Sequence, residues 1–191
     1  GGWIAFSTFD SQWVKEKQAQ WSLSTLLETD WPMLSIQPLE VPKNLRLVIG
    51  WTGSPASTSD LVDQVHQSKE VAESAYQTFL KDSRECVEEM IAGFTNKNIP
   101  VIKQMITKNR ALLNTLSSIT GVTIETPALK ELCDLAETCG GAAKSSGAGG
   151  GDCGIVIAGK KTGILPLMTL WEKAEITPLP LHIYHYQGGQ K

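Results

Sequence analysis

A glycine-rich stretch in the last third of the chain contains the residue types that most clearly suggest chemistry. Seven of the seventeen glycines lie between Gly140 and Gly154, together with two serines and one lysine. Small residues let backbone N–H groups approach an anion closely, while hydroxyls and an ammonium group donate further hydrogen bonds. The stretch therefore predicts a cradle for a phosphate group. Its predicted contacts are Lys144, Ser145, Ser146, Gly147, Ala148, Gly149 and Gly150.

This stretch differs from the two common phosphate-binding motifs. A Walker A loop needs the pattern Gly-x-x-x-x-Gly-Lys-[Ser/Thr], which is absent, and a Rossmann fingerprint is followed by a helix rather than a strand. Here an apolar run over residues 153–158 predicts a strand. A flexible linker of glycine, alanine and serine is the alternative interpretation. The position of the stretch between a predicted helix and a predicted strand favours the phosphate cradle.

A second polar segment, residues 51–60, leaves one predicted strand and enters a helix. A hydroxyl near its end can cap that helix by accepting a hydrogen bond from a backbone N–H group. We predict that this segment and the helix after it bind the rest of the substrate or its phosphate. The alternatives are a loop that only caps the helix and a helix face that is only solvated. The predicted contacts are Thr52, Ser54, Ser57, Thr58, Ser68 and Lys69.

Composition narrows the class of protein. The chain has seventeen basic and twenty acidic residues and contains no run of basic residues. This composition argues against a dedicated nucleic-acid-binding protein. No apolar stretch reaches the ~18–20 residues that span a bilayer. The four cysteines form no Cys-x-x-Cys pair, so no metal-ligating residues are predicted. Free thiols without a secretion signal are typical of the cytoplasm, which is the expected location.

Hydrophobic periodicity predicts the elements that must position these residues. Five strands are predicted over Trp3–Ser7, Ser35–Leu39, Leu45–Trp51, Cys153–Ala158 and Leu179–Tyr186. Helices are predicted over Ser11–Gln20, Ser22–Glu28, a segment from Leu61, Ala72–Phe94, Pro100–Gly121, Pro127–Cys139 and Ile164–Glu175. The order predicts a mixed α/β fold of the α+β type, with an antiparallel sheet covered by several helices.

Residues 143–153, Ala-Lys-Ser-Ser-Gly-Ala-Gly-Gly-Gly-Asp-Cys, resemble the third motif of the GHMP small-molecule kinases. The pattern Asn109-x-x-Leu112-Leu113, followed by Thr126-Pro127-x-Leu129-x-x-Leu132, resembles the helical run that precedes this motif in the family. Residues 2–6 and 50–62 are similar to segments of family members that phosphorylate 5-phosphomevalonate. The resemblance covers essentially the whole chain.

The resemblance implies a domain organisation. Residues 1–44 would be the end of a GHMP N-terminal, nucleotide-binding domain, and residues 45–191 a ferredoxin-like GHMP C-terminal domain with several covering helices. The family's ATP loop, Pro-x-x-x-Gly-Leu-Gly-Ser-Ser, and its N-terminal catalytic lysine are not among these residues. The catalytic residues are therefore expected in a preceding half of the same kinase, and the 191-residue chain alone is expected to be inactive. The unpaired edge at residues 3–6 would favour association, including a homodimer.

The resemblance also implies a reaction in the mevalonate pathway of isoprenoid biosynthesis. ATP would transfer its γ-phosphoryl group to the phosphate of 5-phosphomevalonate, giving 5-diphosphomevalonate and ADP, with Mg²⁺ bridging the nucleotide phosphates. Two alternatives stay open. One is another GHMP kinase, such as a mevalonate kinase, and the other is a non-catalytic domain that binds a phosphorylated metabolite.

Overall fold

The computed structural model describes residues 2–68, 73–181 and 183. The described residues form two compact units, of which the first contains residues 2–40 and 183 and the second contains residues 41–68 and 73–181. Their strands are β1 (Ile4–Ser7), β2 (Ser35–Pro38), β3 (Arg46–Trp51), β4 (Ala142–Ser145), β5 (Cys153–Ala158) and β6 (Thr177–Leu179). Their helices are α1 (Ser11–Gln18), α2 (Leu23–Glu28), α3 (Thr58–Ser68), α4 (Glu73–Thr95), α5 (Ile99–Thr120), α6 (Pro127–Thr138) and α7 (Ile164–Lys173).

The first unit contains a two-stranded antiparallel ribbon and two short helices. Strands β1 and β2 pair with Phe6 opposite Ile36. The carboxylate of Asp10 caps α1 by accepting hydrogen bonds from two backbone N–H groups of its first turn. Val14 of α1 and Leu26 of α2 are buried.

The second unit is built on a four-stranded sheet with the spatial order β4-β5-β3-β6, in which every neighbouring pair is antiparallel. Along the chain the order is β3, a helical segment, β4, β5, α7 and β6. This is the β-α-β-β-α-β arrangement of ferredoxin-like domains, with helices α3 to α6 in place of the first crossover helix. The predicted mixed fold, with an antiparallel sheet covered by helices, is confirmed.

The core of the second unit lies between this sheet and helices α6 and α7. Alternating strand residues point to the same face, where Val48, Ala143 and Val156 are buried. Leu132 of α6 and Trp171 of α7 cover them, and both side chains are fully buried. The indole N–H of Trp171 donates to the carbonyl oxygen of Leu132 at 3.0 Å, so the large ring is buried without losing its hydrogen bond.

Two paired glycines let the helices approach the sheet. Gly50 of β3 lies opposite Gly154 of β5. A Cβ atom at Gly154 would lie 2.4 Å from a methyl carbon of Leu132, and one at Gly50 would lie 2.9 Å from the Trp171 ring. Both contacts are shorter than packed side chains tolerate, so these positions require glycine for steric reasons.

Helices α5 and α6 begin and end close to the residues that the sequence predicts. The Asn98 side chain accepts a hydrogen bond from the N–H of Val101, and Pro100 occupies the first turn of α5. Gly121 ends this helix with a φ of 71°, in the left-handed region. Thr126 caps α6 by accepting from the N–H of Leu129.

Two strands differ from the sequence-based prediction. Strand β4 was not predicted at all, because the sequence Ala-Ala-Lys-Ser has little strand propensity and forms a strand only by pairing with β5. The last strand runs over Thr177–Leu179, whereas Leu179–Tyr186 was predicted. It starts early because Glu175, with a φ of 59°, turns the chain directly after α7. Residues 180, 181 and 183 are not in a strand, and 182 and 184–186 lie outside the described residues.

The four cysteines are free thiols, of which Cys86 and Cys133 are buried and Cys139 and Cys153 are half-buried. Burial raises the pKa of the Cys133 thiol to about 12. Within residues 2–68, 73–181 and 183, no helix is long and apolar enough to cross a bilayer.

Candidate functional site

The glycine loop, defined here as residues 146–152, connects β4 to β5. At its base the N–H of Ser146 donates to the carbonyl oxygen of Cys153 at 2.8 Å. Gly147, Gly149 and Gly150 have φ values of 61°, 81° and 77°, which lie in the left-handed region. Only glycine adopts this region without steric cost, so the sequence of the loop follows from its backbone path.

Backbone hydrogen bonds at two positions hold the glycine loop against other parts of the second unit. The N–H of Gly150 donates to the carbonyl oxygen of Ile124 at 2.7 Å. The N–H of Asp152 donates to the carbonyl oxygen of Ser54 at 2.6 Å, and the N–H of Thr52 donates to that of Asp152 at 2.8 Å. A flexible linker would make no such set of bonds, so the loop has a defined shape.

Close contacts also show where the loop is packed and where it is open. A Cβ atom at Gly149 would lie 2.4 Å from the carbonyl oxygen of Ile124, and one at Gly150 would lie 2.6 Å from a methyl carbon of Leu61. A Cβ atom at Gly147 would meet no atom of the described residues within 4 Å. The loop is therefore packed on the side of Gly149 and Gly150 and open at Gly147.

The open part of the loop has hydrogen-bond donors to spare. The N–H groups of Gly147 and Ala148 have no acceptor among the described residues, whereas Gly149 is buried on the packed side. Successive free N–H groups on a backbone with left-handed residues form a concave binding site for an anion. This geometry is suited to a phosphate group, which needs several donors pointing at neighbouring oxygens.

Lys144 and Ser145 lie in β4, at the base of the loop. Ser145 is buried, with 3% of its surface exposed. The Nζ atom of Lys144 donates to the carbonyl oxygen of Ser145 at 2.7 Å. Burial lowers the pKa of Lys144, and the neighbouring thiols Cys133 and Cys86 partly offset this shift. Lys144 thus places a half-buried positive charge close to the first residue of the loop.

Some of the contacts predicted in and after the segment 51–60 bond to the glycine loop, and others do not. Thr52 binds the loop through its N–H and also through its hydroxyl, which donates to the carbonyl oxygen of Asp152 at 2.9 Å. The carbonyl oxygen of Ser54 accepts a hydrogen bond from the backbone N–H of Asp152. Ser57 caps α3, because its Oγ atom lies 3.5 Å from the N–H nitrogen of Asp60. The side chains of Thr58 and Ser68, and all of Lys69, lie outside the described residues.

An ion-pair network that was not predicted from the sequence lies next to Ile124, the residue that accepts the hydrogen bond from Gly150 of the glycine loop. Arg110 of α5 donates from Nε to the carboxylate of Glu125 at 2.9 Å. Its two Nη atoms donate to Asp134 at 2.7 Å and to Glu137 at 2.9 Å, both on α6. The Arg110 side chain is only 11% exposed. The network therefore fixes residue 125, whose neighbour Ile124 accepts the hydrogen bond from Gly150.

Hydrogen bonds and charges within this network stabilise the charged forms of Arg110 and Asp134. The hydrogen bond to Glu125 is the main reason that the pKa of Arg110 is raised. Hydrogen bonds from Lys130 and Arg110 lower the pKa of Asp134. No sequence signal reveals the network, because its members are 15 to 27 residues apart and only the packing of α5 on α6 brings them together.

Residues 90–163 match the family model described as GHMP kinases C terminal. The chain is 38% identical over 183 residues to the phosphomevalonate kinase of Streptomyces sp. (strain CL190), covering 95% of this chain and 49% of that protein. It is therefore a homologue of that enzyme, and the predicted resemblance to GHMP kinases is confirmed.

Solved structures give the same result. The structure of a Lin0012 protein from Listeria innocua matches with a TM-score of 0.89 and 44% identity, covering 98% of this chain and 54% of that one. The Streptococcus pneumoniae phosphomevalonate kinase in complex with phosphomevalonate and AMPPNP matches with a TM-score of 0.80 and 30% identity, covering 93% and 51%. The chain thus spans about half the length of the relatives it matches.

Proposed function

We propose that this chain, which carries a GHMP kinase C-terminal domain, is the C-terminal part of an enzyme that phosphorylates 5-phosphomevalonate. The reaction would transfer the γ-phosphoryl group of ATP to the phosphate of the acceptor and release 5-diphosphomevalonate and ADP. The glycine loop carries this proposal, because it is fixed in place and leaves a run of free N–H groups. The relative from Streptococcus pneumoniae, whose structure contains phosphomevalonate and AMPPNP, supports the choice of substrates.

The residues of this chain would act by binding and charge stabilisation. Donor and acceptor are both anions, so the site must hold two phosphates close together, and positioned donors supply most of the catalysis in such transfers. The N–H groups of Gly147 and Ala148 would bind phosphate oxygens, helped by the hydroxyl of Ser146, and Gly149 would shape the loop around them. These donors are neutral, so they would hold the reacting phosphates without trapping the doubly phosphorylated product.

The remaining predicted residues would support this site in different ways. Thr52 and Ser54 would keep the end of the loop in place through their bonds to Asp152. The half-buried ammonium of Lys144 would add positive potential at the base of the loop. The contacts proposed for the rest of the substrate are Ser57, Thr58, Ser68 and Lys69.

The donors in this chain fit ATP phosphates better than they fit a metal ion. Among the residues that the structure describes, no group of three or more His, Cys, Asp or Glu side chains could hold a metal ion. We therefore assign the Mg²⁺ of the proposed reaction to the nucleotide phosphates and to residues outside this chain. No step of the proposal depends on a metal ligand from these residues.

The proposed partner is a preceding half of the same kinase. In this view residues 1–44 end its nucleotide-binding domain and residues 45–191 form the C-terminal domain. Ile4, Phe6 and Ile36 share one face of the β1–β2 ribbon and are 45%, 59% and 58% exposed. Such an apolar face is normally covered by more protein, either that half or a second copy of the chain. We also propose that the complete kinase is located in the cytoplasm.

An ADP-release assay on the complete protein tests the proposed reaction. We expect turnover with ATP and 5-phosphomevalonate, none with mevalonate, and none from the 191-residue chain by itself. Turnover with mevalonate instead would indicate a mevalonate kinase. Tight binding of 5-phosphomevalonate without turnover by the complete protein would indicate the non-catalytic binding domain.

A further inference from the structure

A short segment between α5 and α6, residues 122–125, holds the glycine loop in place. The carbonyl oxygen of Ile124 accepts the hydrogen bond from the N–H of Gly150. The side chains of Val122 and Ile124 are buried, with 5% and 4% of their surfaces exposed. Among the described residues the segment belongs to neither sheet, so its position depends on the side chains that bond to it.

Three polar side chains on one face of α5 bond to this segment. Arg110, Asn114 and Ser117 are four and three residues apart, a spacing that places them on the same side of a helix. Arg110 and Asn114 both donate to the carboxylate of Glu125, at 2.9 Å and 3.2 Å. The hydroxyl of Ser117 donates instead to the carbonyl oxygen of Val122, at 2.5 Å. Ser117 therefore acts on the backbone of the segment, whereas the other two act on a side chain.

The same hydroxyl oxygen of Ser117 also meets the N–H of Ile124, whose nitrogen lies 3.5 Å from Oγ. A serine hydroxyl donates one hydrogen bond and accepts others, so it serves both backbone groups at once. It bridges the two residues on either side of Thr123. Alanine at position 117 would leave a carbonyl group and an N–H group beside buried side chains without this partner, and unpaired groups of this kind are costly. The bridge ends on the residue that holds Gly150.

We propose that Ser117 is a positioning residue for the glycine loop. Its hydroxyl fixes the backbone of Ile124, and the carbonyl group of Ile124 fixes Gly150. The free N–H groups of Gly147 and Ala148 then keep the direction that a bound phosphate requires. The inference rests on the proposed function in one respect, namely that this loop binds the reacting phosphates. A displaced donor costs more in the transition state than in the bound substrate, because it is aimed at the charge that develops during the transfer.

Ser117→Ala and its neighbour Ser118→Ala test this role in the complete enzyme. Ser118 is exposed, and its hydroxyl donates to the carbonyl oxygen of Asn114 within the same helix at 3.0 Å. We expect Ser117→Ala to lower kcat by about tenfold and to raise KM for 5-phosphomevalonate by no more than about twofold. Ser118→Ala should change neither value. Equal kcat values for the two variants, measured well below both unfolding midpoints, would overturn the proposal.

Hydrogen exchange measures the position of the loop without any substrate. The backbone N–H of Gly150 is protected by its bond to Ile124, and a peptide covering residues 146–152 reports on it. In the Ser117→Ala variant of the complete protein this peptide should exchange about tenfold faster, whereas a peptide covering β5 should keep its rate. A general loss of stability would speed exchange in both peptides alike. Native exchange of the loop peptide, or equal acceleration of both peptides, would contradict the proposal.

These two measurements separate the inference from the proposed function. Failure of the complete protein to phosphorylate 5-phosphomevalonate, together with faster exchange of the loop peptide in Ser117→Ala, would contradict the proposed function and support the role of Ser117. Normal turnover by Ser117→Ala with native exchange of the loop peptide would contradict the role of Ser117 alone.

Discussion

The N–H of Gly150 donates to the carbonyl oxygen of Ile124 at 2.7 Å, and this bond joins the glycine loop to the segment between α5 and α6. Ile124 is buried and precedes Glu125, whose carboxylate accepts hydrogen bonds from Arg110. The shape of the loop therefore depends on a network centred on Arg110, about forty residues earlier in the sequence. Both ends of this connection can be tested by substitution.

The first prediction concerns Gly149 in the loop. In Gly149→Ala the new methyl group would lie 2.4 Å from the Ile124 carbonyl oxygen, at a φ of 81°. The loop must shift, and a displacement of about 1 Å at a site of phosphoryl transfer costs about a hundredfold in rate. We expect kcat/KM of the complete enzyme to fall by about that factor while the circular dichroism of the protein stays native.

Gly121→Ala is the matched control for this substitution. Gly121 also has a positive φ, of 71°, but it lies at the end of α5, outside the glycine loop, and its Cβ atom would meet no atom of the described residues within 4 Å. We expect a cost of about 1 kcal/mol in stability and only a small change in kcat/KM. Equal losses of activity in both variants would show that a loss of stability, and not contact with Ile124, lowers the rate.

The second prediction concerns Arg110. Arg110→Gln leaves the carboxylates of Glu125, Asp134 and Glu137 without their common partner, and the Glu125 side chain is only 9% exposed. Removing one member of a buried ion pair destabilises a protein by about 3–5 kcal/mol. Urea unfolding of the chain should show a loss of this size. Lys81→Gln, which breaks an exposed pair with Glu85, should cost less than about 0.5 kcal/mol.

The third prediction is a pH dependence that arises from Asp134. Its folded-state pKa lies below the usual value of 3.8, chiefly because Lys130 and then Arg110 donate hydrogen bonds to it. The stabilisation is therefore complete above the unfolded-state pKa and is lost as the pH falls through the lower, folded-state pKa. Urea midpoints of the chain should fall on acidification below about pH 4, and Asp134→Asn should make this fall smaller. An identical acid profile in the variant would contradict the assignment.

Elements with local signals could be predicted from the sequence almost to the residue. Helix α5 has its cap at Asn98, a proline in its first turn and a left-handed glycine at its end. Helix α6 has a threonine cap followed directly by a proline. These signals act within one turn of the helix, so they are readable without knowledge of the fold.

Features that depend on distant partners could not be predicted in this way. Strand β4 exists because β5 pairs with it, although the two are separated by the glycine loop. The contact between Gly150 and Ile124 joins residues of two different connections, and no spacing rule relates them. The position of the glycine loop was predicted from its composition, whereas the residues that fix its shape required the packed structure.

The last prediction concerns Lys144, where stability and binding should change in opposite directions. Its ammonium is half-buried beside the loop and donates a hydrogen bond to the carbonyl oxygen of Ser145. Burial disfavours the charged form and lowers its folded-state pKa below the usual 10.5. The cost to stability is therefore complete below the folded-state pKa and disappears as the pH rises from that pKa towards 10.5.

Replacing this charge by an apolar side chain of similar length should separate the two roles. Lys144→Met should raise the free energy of unfolding at neutral pH by about 1 kcal/mol and remove its increase at alkaline pH. The affinity of the chain for inorganic phosphate should fall, because the positive potential under the glycine loop is lost. Lys161→Met, at an exposed position, should change neither quantity. A less stable Lys144→Met protein with unchanged phosphate affinity would show that this lysine serves the fold through its bond to Ser145 and not the ligand.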